Sequence, residues 1–517
     1  MLRRATYGVR AEDLAAILAM GGRDAWLDRQ LHPARIQDDA VAERLEAFPT
    51  VSMSMDALLL EYAPLPRAAR ARADSMAAAT TPPEAQRAAE RERRRGRVRI
   101  LPDLIGARLM RAVHSERQLE EVMTEFWFNH FNVFFAKGST RYFLADYERS
   151  AIRPYVFGKF EKMLLATAQH PAMLDYLDNA TSVVPDSMRP AGKRPRRRQR
   201  GLNENYAREL LELHTLGVDG GYTQRDVVEL ARALTGWTFS RPNLREMQMM
   251  AAPQTTSSTD AAPENVAFVF RPATHDPGEK VVLGETLPAG RGIEDGVEVI
   301  RMLARHPSTA QHIATKLVER FVNDEPDPEF VEELADVFLE TDGDLRQVTR
   351  ALFTSERFYD SRNVGMKVKT PYELVTSALR VTRAEIAAPR ALISTLRDMG
   401  NVPYSEPAPT GYPASSEDWV NAGAMLNRMS FGLKVAGGGI RGMRVDGFAL
   451  AGVERGRDAL QPERLGTLLD ALLPGVPARE LEDAIREDLV GRTGDGPGAQ
   501  LARAVGLAIG SPEFQMR

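Results

Sequence analysis

Apolar residues recur at helical spacing along most of the chain, and this pattern favours a mainly α-helical fold. Between residues 11 and 31, for example, Leu14, Ile17, Leu18 and Leu27 fall on one face. Residues 104–136 are richer in apolar side chains, as expected of a buried helix pair. Further helices are predicted within 149–178, at 203–216, 223–236, 293–305, 307–322, 328–340 and 343–355, and from 371 onward. The sequence therefore predicts a large multi-helix domain.

One region departs from this helical pattern. Residues 265–271 and 279–284 are rich in Val and Phe, and the turn-forming residues Thr274–Gly278 lie between them. We expect these two runs to form one small β-hairpin near 265–284, with little β-structure elsewhere.

Composition excludes several classes of protein. The net charge of −4 gives no global electrostatic attraction to nucleic acid. No apolar run reaches the roughly 18 residues of a membrane span, so no transmembrane segment is expected. The chain has no cysteine, which excludes disulfides, thiolate nucleophiles and cysteine-based metal sites.

The length of 517 residues allows one very large domain or two to three ordinary ones. Shifts in composition suggest an N-terminal helical segment at 1–65 and an Arg/Ala-rich linker or insertion at 66–98. A central helical core at 99–360 is expected to carry the candidate site, and a helical C-terminal region to occupy 361–517.

A basic run at 189–200 carries seven positive charges and two prolines among its twelve residues. Such a run is typical of an exposed, mobile loop that trypsin cuts early. It could also contact a polyanion or cover a site for an anionic ligand. It has no aromatic residues for stacking against bases, which argues against nucleic acid. Residues 240–264, rich in Met, Thr, Ser and Pro, also look inserted.

The segment Gly201–Gly217 concentrates polar groups at the start of a predicted helix. Asn203 suits the N-cap, and Glu204 lies in the first turn, where the helix dipole stabilises a carboxylate. Helical spacing places Ala207, Leu210, Leu211 and His214 toward the core and Asn205, Arg208, Glu209 and Glu212 on the other side. The polar side is either a surface ladder of ion pairs or part of a site.

Glu204 and Glu209 are separated by five residues, so their side chains diverge by roughly 140° around the helix. We expect Glu204 to face a cleft beside Asn203 and His130, as a base, anchor or metal ligand. We expect Glu209 to be structural and to pair with Arg153 or Arg232.

Two further clusters combine histidine with other polar groups. Asn129, His130 and Asn132 interrupt the apolar run 126–133, where each would cost about 1–3 kcal/mol if buried without a partner. They either bond to backbone in the core or line a site. His275 and Asp276 follow Thr274 in the proposed turn, where they suit a base with its orienting group, metal ligands, or ordinary turn chemistry.

No pattern meets a strong criterion for a metal or nucleotide site: the HExxH and Walker patterns are missing, and the glycine-rich Gly437–Gly442 follows a helix-like segment rather than a strand, so a phosphate-binding loop is not expected there. No cofactor can therefore be identified, although a divalent metal stays open.

Several of these segments together resemble a bacterial domain-of-unknown-function family, the one numbered 1800. The matching pieces are Leu2–Gly8, Phe126–Phe131, Ile152–Pro154, His170–Asn179, Gly201–Gly217, Ala233–Trp237, His275–Gly278, Lys367–Pro371 and Gly411–Pro413. Their order and spacing agree with the family, whereas the 66–98 and 189–200 stretches look peculiar to this chain.

The resemblance implies a mostly helical bacterial protein and no known activity. It also implies a companion protein from the family numbered 1501, which looks like sulfatase- or phosphatase-type proteins. The family pattern often follows an export signal, so a periplasmic or extracellular location is expected, although no signal peptide is visible in this chain.

Three hypotheses for function follow. The first is a hydrolase-like enzyme acting on an envelope or extracellular sugar- or phosphate-bearing polymer, since carboxylates with His and Arg suit that chemistry. The second is a non-catalytic binding or assembly partner of the companion, and the third is a metal-binding protein. The predicted catalytic residues are Glu204, His130, His275 and Asp276. The predicted ligand-binding residues are Asn129, Asp178, Asn179, Asn203, Asn205, Arg208, Trp237 and Lys280, with an anionic or polysaccharide ligand.

Overall fold

A computed structural model describes residues 1–64, 83–184, 201–240, 265–454, 462–491 and 494–517. It is 63% helical with three small two-stranded antiparallel sheets, which confirms the mainly α-helical class. The predicted basic loop at 189–200 and nearly all of the 240–264 stretch lie outside the described residues. The 66–98 stretch is described only from residue 83, where a long helix begins.

The N-terminal half of the chain forms helices of very unequal length. They are α1 (Leu2–Ala5), α2 (Ala11–Met20), α3 (Arg23–Gln30), α4 (Asp39–Leu45), α5 (Pro49–Ser52), α6 (Met55–Tyr62), α7 (Pro83–His114), α8 (Gln118–His130), α9 (Leu144–Asp146), α10 (Phe160–Gln169), α11 (Pro171–Tyr176), α12 (Asn205–Glu212) and α13 (Gln224–Ala233). A π-helical turn, Tyr147–Ile152, continues from α9.

The second half follows with strands and further helices. The strands are β1 (Trp237–Phe239), β2 (Phe268–Phe270), β3 (Lys280–Val282), β4 (Glu285–Leu287), β5 (Glu385–Ile386) and β6 (Met443–Arg444). The helices are α14 (Ile293–Ala304), α15 (Pro307–Phe321), α16 (Pro328–Glu340), α17 (Leu345–Thr354), α18 (Pro371–Val381), α19 (Arg390–Asp398), α20 (Ala422–Ala436), α21 (Gly447–Leu450), α22 (Pro462–Leu472), α23 (Arg479–Val490), α24 (Pro497–Gly510) and α25 (Pro512–Gln515).

Capping chemistry explains why several predicted helix boundaries agree closely with the structure. The Thr223 side chain caps α13 in a reciprocal capping box with Asp226, and Thr370 does the same for α18 with Glu373. Prolines occupy the first positions of α15, α16 and α18, where the missing N–H has no helical partner to lose.

A small β-hairpin does form in the predicted region, but its strand partners differ from those expected. β3 turns back onto β4 through Leu283 and Gly284, both with positive φ, which is the backbone that two-residue hairpin turns need. β2 pairs instead with β1, where the Trp237 ring meets Phe268 edge-on at 5.1 Å. The predicted pairing of 265–271 with 279–284 was therefore wrong, because the first run pairs with the earlier β1 and the second with β4, which follows it directly.

The buried apolar side chains form one cluster that extends from Ala5 to Phe514. It includes Trp127 in α8 and Trp237 in β1, both with their rings fully enclosed. The cluster joins the central region to the C-terminal region, while the division into domains stays a prediction. Within the described segments, no helix has both the length and the apolar content that crossing a membrane would require.

A buried ion network holds the β3–β4 hairpin against α13 and α14. The Lys280 ammonium donates to the Asp295 carboxylate at 2.8 Å and to the carbonyls of Asp276 and Gly278 at 2.7 and 2.8 Å. Asp295 is also 3.3 Å from Nε2 of His275. Lys280 and Asp295 are both inaccessible to solvent, so Lys280 depends on Asp295 for its charge to be tolerated, while Asp295 has Lys280 and also Arg291, at 3.0 Å, as counter-charges.

Replacing Lys280 with Met tests this network. The K280M variant removes one of the two cations that contact the buried Asp295 carboxylate and leaves only Arg291, at 3.0 Å, so the free energy of unfolding should fall by about 2 kcal/mol. K434M, which removes an exposed lysine of α20, should change it by less than about 0.5 kcal/mol. Urea unfolding of both variants measures the difference, and equal stabilities would contradict the structural role of Lys280.

Candidate functional site

A cleft of about 590 Å³ opens where the central helices meet the C-terminal region. Its walls come from α8, the end of α12, α15 and the loop that spans 401–418. Four of the segments that carry the family resemblance contribute to it, although they are far apart in the chain. They supply Phe126, Asn129 and His130; Glu212 and Leu213; Thr370; and Gly411, Tyr412 and Pro413.

Two asparagines of the 126–133 run fasten the 401–418 loop to α8. The Asn129 amide donates to the Tyr412 carbonyl at 2.8 Å and accepts from the Tyr412 N–H at 2.8 Å. Asn132 donates to the carbonyls of Glu406 and Ala408 at 3.0 and 2.7 Å. The polar groups that interrupt this apolar run thus bond to backbone, and in doing so they build one wall of the cleft.

Gly411 allows the loop to approach α8 closely. Its φ is +73°, and a Cβ at this position would lie 2.4 Å from the Asn129 carbonyl oxygen and 2.6 Å from its Oδ1. A side chain here would therefore displace the loop from α8, because both obstructing atoms belong to Asn129, the residue that bonds the loop to the helix.

Three histidines from different helices cluster beside the cleft. His130 lies 6.1 Å from His214 and 6.0 Å from His312, measured between ring centroids. Burial, followed by His312 and His214, holds the pKa of His130 well below its ordinary 6.5. Burial lowers the pKa of His214 to about 3 and also lowers that of His312. These rings are therefore neutral at physiological pH.

Hydrogen bonds fix the tautomer of two of these rings. Nε2–H of His130 donates to the His214 carbonyl at 3.2 Å, and Nε2–H of His312 donates to the Leu213 carbonyl at 3.1 Å. Each neutral ring then keeps Nδ1 as an acceptor, because a carbonyl can only accept. His130 and His312 both line the cleft, so it is lined by neutral imidazoles that can accept a proton or a hydrogen bond.

Carboxylates outnumber cations on the cleft wall. The acidic residues are Glu125, Glu212, Glu319, Glu406 and Asp418, and the basic ones are Lys316, Arg320 and Arg517. Two of the cations are already neutralised, since Arg320 contacts Glu125 at 3.3 Å and Glu373 at 2.7 Å, and Arg517 donates to Glu373. The third, Lys316, is 3.8 Å from Glu319. The cleft is thus acidic overall.

Of the twelve residues predicted for the site, Asn129 and His130 line this cleft. A second group gathers on the surface at the start of α12. Asn203 caps the Asn205 N–H and donates to the Asp178 carbonyl at 3.2 Å, and Asn205 donates to the Leu177 carbonyl at 3.4 Å. Asn179 points inward and donates to the carbonyls of Leu234 and Trp237.

Glu204 does not lie beside His130 as expected. Its carboxylate accepts from Gln224 at 2.7 Å and is 3.6 Å from Arg208, so it forms part of a surface network between α12 and α13. It occupies the N-cap position and faces α13, because the helix begins only at Asn205.

The expected ion pair of Glu209 with Arg153 or Arg232 was also wrong, because other carboxylates occupy both guanidiniums. Arg153 binds Glu121 and Glu148, whereas Arg232 binds Glu229 and Asp276. Burial, followed by the nearby Glu212, raises the pKa of Glu209.

Three of the four remaining predicted residues belong to the buried network of the β3–β4 hairpin. His275 lies between the Thr235 carbonyl and Asp295, and Asp276 accepts from Arg232 at 2.7 Å. Although burial opposes it, that hydrogen bond from Arg232 lowers the pKa of Asp276. Together with Lys280, these side chains stabilise the hairpin, whereas the enclosed Trp237 packs in β1 against Phe268, and none of the four lines the cleft.

Most of the polar groups in the cleft carry no recognisable signal in the sequence. His312 and Lys316 lie on an ordinary amphipathic helix, and Glu406 and Asp418 lie in a loop without a recognisable motif. Tyr412 was visible only within the Gly-Tyr-Pro piece of the resemblance. In the part of the chain that the structure describes, no group of three or more His, Asp or Glu is placed to hold a metal ion.

A family model matches residues 1–516 of the chain. The chain belongs to the family described as Protein of unknown function (DUF1800). This confirms the resemblance over nearly the whole sequence, including all four segments that meet at the cleft. Comparison with curated proteins and with solved structures found no match for this DUF1800 protein.

Replacing Gly411 with Ala tests the close approach of the loop to α8. The G411A variant should lose about 3 kcal/mol or more of stability, since it combines backbone strain with a clash against Asn129. Gly400 provides a matched control, because its φ is +78° and a Cβ added there would meet nothing within 4 Å. G400A should lose only about 1–2 kcal/mol. Equal losses in denaturant unfolding would show that the loop does not depend on this contact.

Proposed function

We propose that the cleft between α8, α12, α15 and the 401–418 loop binds an uncharged, hydroxyl-rich ligand, such as a segment of a neutral polysaccharide. Its volume of about 590 Å³ falls within the roughly 300–1,000 Å³ of typical small-molecule sites. The observation that carries the proposal is the excess of acceptors on the wall, where carboxylates and neutral histidines outnumber available cations.

The charge distribution supports a neutral ligand over an anionic one. Among the residues that the structure describes, Glu212 and Glu406 accept hydrogen bonds from neutral donors alone, the Tyr222 hydroxyl at 3.3 Å and the Ala408 N–H at 3.1 Å. Both carboxylates therefore keep lone pairs for further hydrogen bonds, which sugar hydroxyls can donate. A phosphate or sulfate group would be repelled by the same carboxylates, and Arg320 and Arg517 are already occupied by acidic partners.

Aromatic surface in the cleft supports the same class of ligand. Phe126 and Tyr412 line it beside the polar groups. A sugar ring presents apolar faces and hydroxyl groups. A site that combines apolar walls with a few polar groups can contact both and so fix the orientation of such a ligand.

Hydrolysis of the bound polymer is a second candidate, favoured by the neutral His130 in the cleft. Its acceptor Nδ1 can orient an attacking water by accepting a hydrogen bond, while Glu212 or Asp418 supplies the acid–base group, since the lowered pKa of His130 makes it a weak base. Glu204, His275 and Asp276 lie outside the cleft, so this catalytic set replaces all but His130 of the predicted one.

The family resemblance carries two further proposals. They are a companion protein from the family numbered 1501 and a periplasmic or extracellular location, and both rest on the resemblance alone. The metal-binding hypothesis lacks a donor set within the described residues.

Calorimetric titration with neutral cello-, malto-, xylo- and chito-oligosaccharides tests the binding proposal, with heparin and polyphosphate as anionic comparisons. At least one neutral saccharide should bind, and E212Q should weaken it about tenfold or more, because a hydrogen bond to a charged group contributes about 1.5–3 kcal/mol. E332Q, which alters an exposed glutamate of α16, should bind as the wild type does.

New reducing ends released from the bound saccharide would favour the hydrolase over simple binding. Binding of the anionic polymers alone would contradict the proposal, as would binding of no saccharide or equal affinities of E212Q and E332Q.

A further inference from the structure

A second cavity, of about 210 Å³, differs from the cleft in its chemistry. Its walls come from α4, α5, α7 and the π-helical turn, with Tyr404 closing one end. One part of the lining is apolar and comprises Leu45, Phe48, Val51, Leu104, Ala107 and Ala145. The other part is cationic and comprises Arg108, Arg111, Arg149 and Arg153, with Glu148 as the one acidic residue of the lining.

Two of the four guanidiniums are already engaged. Arg153 binds Glu121 at 2.6 Å and Glu148 at 3.0 Å, and Arg149 binds Asp146 and donates to the Val51 carbonyl at 2.8 Å. For the other two, Arg108 and Arg111, the acidic residue of the lining is Glu148, which already binds Arg153.

Glu148 cannot satisfy both of them. Its Oε2 accepts from the Tyr404 hydroxyl at 2.6 Å and lies 3.7 Å from Nη2 of Arg108, which is too far for a hydrogen bond. That nitrogen has no hydrogen-bond partner among the described residues, and water does not replace one, because the Arg108 side chain is only 7% exposed. An unsatisfied buried donor of this kind costs about 1–3 kcal/mol or more.

The Arg111 side chain makes no hydrogen bond and no ion pair within 4 Å with any residue that the structure describes, although its charge contributes to lowering the pKa of Glu148, and it is half-buried against the cavity. Arg108 is held in a fixed orientation, because its guanidinium lies over the rings of Phe128 and Tyr404 at 5.0 and 4.8 Å. The cavity therefore presents one preoriented and one free guanidinium beside an apolar wall.

We propose that this cavity is a binding site for a small organic anion with an apolar body, in which Arg111 and Arg108 hold the anionic group and the Leu45–Phe48–Val51 side receives the apolar part. A volume of about 210 Å³ is below the range of drug-sized ligands, which restricts the occupant to a short chain or a single ring. Guanidinium groups bind both carboxylate and phosphate oxygens in pairs, so the anionic group can be of either kind.

Calorimetric titration of the full chain tests the site, with hexanoate and hexyl phosphate as the two anionic probes. Acetate supplies the charge without the apolar body, and hexanol the apolar body without the charge. At least one hexyl anion should bind, and both acetate and hexanol should bind about tenfold more weakly or not at all, since each loses one of the two interactions.

The R111M variant removes the free guanidinium without breaking any hydrogen bond or ion pair among the described residues, so it should fold normally. It should weaken binding of the hexyl anion about tenfold, a loss of about 1.4 kcal/mol. R225M, which removes an exposed arginine of α13, should bind as the wild type does. The proposal is overturned if neither hexyl anion binds, if acetate binds as tightly as hexanoate, or if R111M and R225M bind equally.

Discussion

The paired hydrogen bonds between the Asn129 amide and the Tyr412 backbone determine the shape of the cleft. Both bonds are 2.8 Å long, and they connect α8 to a loop nearly three hundred residues later in the chain. Asn132, one turn further along, adds two more bonds to the same loop. Since amide groups buried without partners are costly, these two side chains, one in α8 and one just beyond its end, require a backbone segment to satisfy them. The loop meets this requirement and, in doing so, encloses the cleft.

Six of the nine segments that carry the family resemblance divide into two physical roles. Phe126–Phe131, the end of Gly201–Gly217, Lys367–Pro371 and Gly411–Pro413 build the cleft, whereas Ala233–Trp237 and His275–Gly278 build the buried hairpin network. In the second group, His275, Asp276 and Lys280 resemble catalytic residues in composition, but their partners are backbone carbonyls, Arg232 and Asp295. The need to stabilise buried charges thus explains the polar residues of the hairpin network, whereas the cleft segments share an acidic and accessible surface.

The sequence predicted the helical class and most helix positions because apolar periodicity and caps such as Thr223 are local signals. It also predicted that His214 faces the core, which the structure confirms. It did not predict the partners of the strands, because a run such as 265–271 carries no information on which neighbour it meets. Nor could it predict that Glu204 would turn toward Gln224, or that His312 and Asp418 would meet His130 at one cleft, because these contacts depend on packing between distant segments.

Amide hydrogen exchange of an N129L variant tests most directly whether the two hydrogen bonds between Asn129 and Tyr412 form the cleft. Leucine keeps the volume of the side chain but removes both hydrogen bonds to Tyr412. We expect amides in 402–415 to exchange at least about tenfold faster than in the wild type, a change of about 1.4 kcal/mol in opening free energy, while β3 and β4 keep their protection. Unchanged exchange in 402–415 would contradict it and would show that the loop is held in place without Asn129.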